Sequence, residues 1–187
     1  MNVIAFLSQK GGSGKTTLVV HTAVAAYEAG CRVVVVDTDP QKSASTWRDA
    51  RGAAEPMVVT AAPSELARVL KAARAEPVDL VIIDTAPHAA PEAAGIARIA
   101  DFVIIPCRPT AFDLAAASNA AAIVKAARAS AAFVLSACPF RTPAWFKARP
   151  HGEAGLALSG RMMAPSRFQR WCEHGSRCWR SSEAARE

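Results

Sequence analysis

The sequence Lys10-Gly-Gly-Ser-Gly-Lys-Thr-Thr17 lies between an apolar run, residues 3–7, and a stretch compatible with a helix, residues 16–29. A strand, a glycine-rich loop and a helix in this order form a cradle for phosphate groups, because the loop turns its N–H groups inward. The pattern G-x-x-x-x-G-K-[S/T] is met only loosely, since Ser8 or Gln9 stands where its first glycine belongs. We interpret the segment as a nucleotide-binding loop with an extra lysine ahead of its glycines.

The chemistry of a bound polyphosphate suggests roles for the residues of this loop. The helix that follows offers its positive end, and Lys15 is expected to reach the β- and γ-phosphates. The Thr16 hydroxyl is expected on Mg²⁺, and Thr17 near the α-phosphate. A glycine-rich turn with incidental lysines is the alternative, which the flanking strand and helix disfavour. The candidate nucleotide-binding residues are Gly11, Gly12, Ser13, Gly14, Lys15, Thr16 and Thr17.

Length and composition indicate one domain of an α/β class. The chain has 187 residues, of which 51% are apolar and only 6% aromatic. This length is enough to bury one α/β core and is rather short for two. No apolar run approaches the roughly 20 residues of a membrane span, and no signal peptide is visible ahead of the first strand. Five scattered cysteines suit a reducing compartment better than a disulfide framework. We therefore expect a cytoplasmic protein.

Short runs rich in Val and Ile alternate with helix-like segments along the chain. Such runs are typical of strands buried on both faces, and the alternation predicts right-handed crossovers between parallel strands. The predicted fold class is α/β, a doubly wound, mostly parallel sheet with helices on both faces. The predicted strands are residues 3–7, 32–36, 80–83, 102–105 and 132–135; the predicted helices are residues 16–29, 64–75 with Ser64 as N-cap, and 113–129.

Aspartates follow two of the predicted strands. Asp37 and Asp39 close the second strand, and Asp84 closes the run at residues 80–83. Since ligands bind at the carboxyl ends of parallel strands, these carboxylates are predicted to face the glycine loop. We assign Asp84 to the magnesium shell and Asp39 to the attacking water. The alternative, that an aspartate caps the next turn or helix, stays open and is strongest for Asp37.

Four segments taken together resemble the ParA/MinD family of ATPases, whose nucleotide loop carries an additional lysine. Asp37-Thr-Asp-Pro-Gln41 favours the ParA branch, the DNA-segregating ATPases of plasmids and chromosomes, because the DxDPQ version is typical of that branch. The resemblance runs from residue 1 to about residue 139. The four segments are residues 10–17, 37–41, 84–87 and 106–114.

The resemblance implies a P-loop NTPase fold, ATP and Mg²⁺ as cofactors, and an ATP-dependent homodimer. In that dimer Lys10 would cross to the phosphates bound by the opposite subunit, and it completes the candidate catalytic set with Lys15 and Asp39. Phosphoryl transfer needs mainly positioning and charge, so no nucleophilic side chain is expected. The resemblance also implies non-specific DNA binding in the ATP state, association with the nucleoid, and a centromere-binding, ParB-like partner protein.

The last part of the sequence departs from this family, which should continue with a helix, another buried strand and closing helices. Residues 141–187 contain no Val and no Ile but eight arginines, an alphabet from which such a strand cannot be built. We divide the chain into an ATPase domain, residues 1–140, and an aberrant, weakly ordered basic tail, residues 141–187. A frameshifted or truncated gene would explain the change. Translating the coding DNA in the neighbouring frames beyond codon 140 tests this, because the idea fails if neither frame resumes a family-like pattern.

The net charge of +6 does not by itself predict DNA binding. Residues 1–140 have 13 Lys and Arg against 12 Asp and Glu, whereas residues 141–187 have 9 against 4. A solvated basic tail is at least as good an interpretation as a contact with phosphates, so DNA binding rests on the resemblance. Two other functions stay open: a MinD-like, membrane-associated positioning ATPase, and a nucleotide-binding remnant without turnover.

Overall fold

The computed structural model of the protein describes residues 1–87 and 90–137. Strands and helices alternate along this part of the chain, as the sequence predicts. The division between residues 1–140 and 141–187 lies outside the described residues and stays a prediction. The elements are β1 (Asn2–Phe6), α1 (Lys15–Glu28), β2 (Val33–Asp37), α2 (Ser43–Arg51), β3 (Met57–Thr60), α3 (Leu66–Ala75), β4 (Leu80–Asp84), α4 (Ala90–Ile99), β5 (Phe102–Cys107), α5 (Ala111–Ala126) and β6 (Ala131–Leu135).

The six strands form one parallel sheet in the order β3-β2-β4-β1-β5-β6. Strand β1 lies between β4 and β5, so the chain passes across it when it moves from one side of the sheet to the other. The loop after β1 opens at the carboxyl edge of the sheet at this crossing point, where open α/β sheets bind their ligands. The predicted fold class is confirmed.

Alternate residues of β1 pack on opposite faces of the sheet. Val3 and Ala5 belong to a core cluster with residues of α3, α4 and α5, and Ile4 and Phe6 belong to a second cluster with residues of α1 and α2. All four side chains are buried. Burial on both faces explains why this strand reads as an uninterrupted apolar run, which is the pattern that made it predictable.

Strand β3 and helices α2 and α4 were missed by the sequence prediction. Strand β3 is a four-residue edge strand whose Met57 is 48% exposed, so it lacks the pattern of a buried strand. Helix α2 buries only Ala44 and Ser45 and has no apolar stripe. Helix α4 contains Pro91 and Gly95, residues that usually interrupt a helix pattern.

The prediction that Ser64 is the N-cap of α3 is wrong. A short 3-10 helix, Pro63–Glu65, precedes α3 and places Ser64 inside its turn rather than beside the helix. The Glu65 carboxylate accepts a hydrogen bond from the Ala62 N–H at 3.0 Å instead.

None of the helices in the described part of the chain is long and apolar enough to cross a membrane.

Candidate functional site

The glycine loop joins β1 to α1 at the carboxyl edge of the sheet. Gly12 and Gly14 have φ angles of 72° and 87°, which glycine adopts without the steric cost that a Cβ would bring. Helix α1 begins at Lys15, directly after the loop, and its first turn, which is fully described, has no acidic side chain. The positive end of the helix dipole is therefore open to an anion held in the loop.

Lys15 is a buried cation at the centre of the site. Its side chain is 6% exposed, and its Nζ donates a hydrogen bond to Asp84 Oδ1 at 2.8 Å and lies 3.9 Å from Asp39 Oδ2. Asp84 is the last residue of β4, and Asp37 is its paired neighbour at the end of β2. The parallel strands thus bring together Lys15, Asp39 and Asp84, which the sequence analysis selected from separate segments.

One carboxylate oxygen of Asp84 is buried without a hydrogen-bond partner in the described part of the chain. The residue is fully buried, and its Oδ2 accepts no hydrogen bond of ordinary geometry within the described residues. The pKa of Asp84 lies above its usual value because the carboxyl is buried. The Lys15 ammonium and, more weakly, the Thr16 hydroxyl oppose this rise. A buried carboxylate oxygen without a partner is costly, and a divalent cation would offset that cost.

Thr16 and Asp84 suit a magnesium ion that keeps water and phosphate ligands, and not a metal ion held by protein ligands alone. Mg²⁺ is usually held by one or two carboxylates together with the phosphates of its substrate, and it keeps several water ligands. Across residues 1–87 and 90–137, no three His, Cys, Asp or Glu residues group together as a closed protein site would require. The hydroxyl and the free carboxylate oxygen are therefore the protein groups here that suit this ion.

The two other aspartates of this edge have different surroundings. Asp37 accepts hydrogen bonds from the Asp39 N–H and from both the N–H and the hydroxyl of Ser45, in the first turn of α2. Asp37 therefore caps α2, the alternative that the sequence left open. Asp39 accepts a hydrogen bond from the Gln41 N–H at 2.9 Å and turns its other oxygen toward Lys15. Its assignment to the attacking water stays a prediction.

Lys10 pairs with a residue that the sequence analysis did not single out, Asp113 in the first turn of α5. The Lys10 Nζ lies 2.8 Å from Asp113 Oδ2, which also accepts the Thr110 hydroxyl. The Lys10 side chain is 42% exposed, whereas that of Asp113 is 4% exposed. The Lys10 ammonium and the Thr110 hydroxyl hold the pKa of Asp113 below its usual range. The spacing Thr110-x-x-Asp113 is a capping-box signal that could have revealed the aspartate but not its lysine partner.

Replacing Asp113 with asparagine is expected to lower the free energy of unfolding by about 1 kcal/mol at pH 7, because it removes the ion pair and a helix-capping carboxylate. A carboxyl whose folded pKa is lowered stabilises the fold fully above its unfolded pKa, about 4, and loses that effect as the pH falls further. The difference between wild type and Asp113→Asn should therefore shrink below pH 4.

Urea unfolding of both proteins at pH 7 and at pH 3 measures this difference. Asp49→Asn is the matched control, since it removes an exposed ion pair with Arg48 and should change stability very little. A difference between wild type and Asp113→Asn that stays the same at both pH values would contradict the role given to the Asp113 carboxylate.

The chain is similar in sequence and in fold to known nucleotide-binding proteins. The family model described as "CobQ/CobB/MinD/ParA nucleotide binding domain" matches residues 4–141. The chain is 41% identical over 115 residues to the maintenance of carboxysome distribution protein A of Gloeobacter kilaueensis, covering 60% of this chain and 52% of that protein. It is 30% identical over 155 residues to the chromosome-partitioning ATPase Soj of Thermus thermophilus, covering 67% and 62% of the two chains.

The chain spans about half the length of the first of these relatives. Among solved structures, cobyrinic acid a,c-diamide synthase of Mycobacterium smegmatis, with a bound ATP analog and magnesium, matches with a TM-score of 0.70. The sequence identity is 19%, and the match covers 97% of each chain. At this identity the structural likeness supports the fold and carries no further assignment.

Proposed function

The chain belongs to the CobQ/CobB/MinD/ParA nucleotide-binding domain family, and we propose that within it the chain is a ParA-like ATPase. It binds Mg-ATP, dimerises on it, and hydrolyses it to drive plasmid or chromosome partitioning. The observation that carries the proposal is the buried set of Lys15, Asp39 and Asp84 beside a glycine loop that opens a helix. The Asp37-Thr-Asp-Pro-Gln41 segment and the likeness to Soj support the partitioning branch.

Each group of the site has a role in this proposal. The N–H groups of residues 11–14 and the Lys15 ammonium bind the polyphosphate, with Thr17 near its α-phosphate. Thr16 and Asp84 would hold Mg²⁺, which would supply positive charge that neutralises the polyphosphate. Asp39 orients the attacking water from its position beside Lys15.

The position of Lys10 supports the proposed dimerisation. Its side chain is 42% exposed and bonds to Asp113 rather than to the glycines of its own loop. A γ-phosphate brings charge that a second ammonium can neutralise, so ATP in one subunit attracts Lys10 of the other. Hydrolysis then removes the γ-phosphate and weakens the dimer, which makes the dimer a timed switch.

Partners and location are inferred from the relatives. Residues 1–140 are nearly neutral, so non-specific DNA binding in the ATP state, nucleoid association and a ParB-like partner protein rest on the likeness to partitioning ATPases. Two other functions fit the same nucleotide site. One is a MinD-like positioning ATPase that acts at a membrane surface, and the other is a nucleotide-binding remnant without turnover.

We expect the purified chain to release phosphate from ATP slowly, only when Mg²⁺ is present, and faster when duplex DNA is added. Phosphate release with and without DNA measures this, and Lys15→Ala prepared in parallel reports any contaminating ATPase. ATP binding without turnover would instead support the remnant. Sedimentation with anionic vesicles in ATP, together with failure to bind DNA, would support the MinD-like alternative.

A further inference from the structure

A hydrogen bond connects the glycine loop to β6, the last strand of the described sheet. The hydroxyl of Ser136, the residue directly after β6, donates to the main-chain carbonyl oxygen of Ser13 at 3.1 Å. Ser13 is buried within the loop, two residues before Lys15. A side chain that is 123 positions away in sequence therefore contacts the backbone of the phosphate cradle.

Ser136 is itself held in place by β5. Its N–H donates to the Cys107 carbonyl oxygen at 2.8 Å, which continues the pairing of β6 with β5 by one residue. Its hydroxyl lies 3.4 Å from the same carbonyl oxygen, farther than from Ser13. A hydroxyl has one proton to donate, and the shorter distance makes the Ser13 carbonyl its main acceptor.

The carbonyl that Ser136 holds belongs to the peptide that links Ser13 to Gly14. A trans peptide is planar, so its N–H points opposite to its C=O. Drawing the Ser13 carbonyl toward β6 therefore turns the Gly14 N–H away from β6. Gly14 also packs against this side chain, since a Cβ on it would lie 3.6 Å from the Ser136 Oγ, and its φ of 87° is unfavourable for other residues.

We propose that Ser136 is a positioning residue for the phosphate loop, which its hydroxyl sets so that the Gly14 N–H faces a bound β-phosphate. This inference rests on the proposed nucleotide binding. It adds the residue that follows β6, outside the glycine loop and the aspartate segments, to those that determine affinity for nucleoside diphosphates and triphosphates. The Ser136 hydroxyl orients one donor, the Gly14 N–H, toward a charged phosphate, so loss of the hydroxyl should weaken nucleotide binding by about tenfold.

Calorimetric titration of the full chain with Mg-ADP and with AMP tests the proposal. We expect Ser136→Ala to bind ADP about tenfold more weakly than wild type. Ser136→Thr, which keeps the hydroxyl, should bind ADP nearly as well as wild type. AMP lacks a β-phosphate, so its weaker affinity, measured by competition, should change little. Ser130→Ala is the matched control, because Ser130 is exposed at the opposite end of β6.

The outcomes separate this proposal from the proposed function. Wild-type protein that binds neither ADP nor ATP would refute the proposed function. Wild-type binding of ADP that Ser136→Ala leaves unchanged would overturn the positioning role alone. Equal weakening of ADP and AMP, or the same weakening in Ser130→Ala, would also overturn it, because either result indicates a general effect on the fold. If Ser136→Ala does not fold, Ser136→Cys replaces it, since a thiol is a weak donor of similar size.

Discussion

Lys15→Ala is expected to lower ATP hydrolysis by about 10³-fold or more and to weaken nucleotide binding strongly. The reason is its position: the ammonium is buried beside the glycine loop, between Asp39 and Asp84, where few water molecules can replace it. Phosphate release and titration with Mg-ATP measure the two effects. Lys71→Ala, which removes an exposed lysine of α3, is the matched control and should behave like wild type.

The same variant makes a second prediction about stability. Without the Lys15 ammonium, the fully buried Asp84 carboxylate loses its cation, and the free energy of unfolding should fall by about 3 kcal/mol at neutral pH. Burial already raises the pKa of Asp84. A carboxyl with a raised folded pKa stabilises the fold at pH values below its unfolded pKa, which is about 4. It loses that effect as the pH rises through its folded pKa. The variant should therefore regain stability relative to wild type as the pH falls toward 4.

Urea unfolding at several pH values between 7.5 and 4.5 measures this recovery. Lys15→Met keeps most of the side-chain volume and should show the same dependence on pH, which separates the lost charge from the cavity that alanine leaves. A Lys15→Ala protein that is as stable as wild type at neutral pH would show that the Asp84 carboxylate does not need this cation.

The contrast between Lys15 and Ser136 shows what the sequence could predict. Lys15, Asp39 and Asp84 follow apolar strands that are buried on both faces, and parallel strands end at the same edge of the sheet, so local patterns were enough to place them together. The side chains of Ser136 and Asp113, in contrast, form hydrogen bonds with the glycine loop from segments that are 123 and 103 residues away in sequence. Nothing in the local sequence indicates which carbonyl or ammonium such a side chain will meet.

Lys10→Ala is expected to abolish ATP-dependent dimerisation and to lower dimer-linked turnover by about 10³-fold, the order of effect of a cation supplied in trans. Binding of ATP should stay nearly unchanged, because the Lys10 ammonium is bonded to Asp113 and not to the glycines of its own loop. Light scattering with a non-hydrolysable ATP analog measures the dimer, and phosphate release measures turnover. ATP-dependent dimerisation and hydrolysis that persist in this variant would contradict the role given to Lys10.

Asp113→Asn is the matched partner of that variant, and its effect should have the opposite sign. Lys10 must leave Asp113 before it can reach a nucleotide in another subunit, so the intramolecular ion pair competes with dimerisation. Asparagine at position 113 weakens this competitor while the lysine is retained, and dimers should form at lower concentrations of the ATP analog than in wild type. If Asp113→Asn instead loses dimerisation as Lys10→Ala does, the two residues act together in the dimer, and the view of Asp113 as a competitor for Lys10 is wrong.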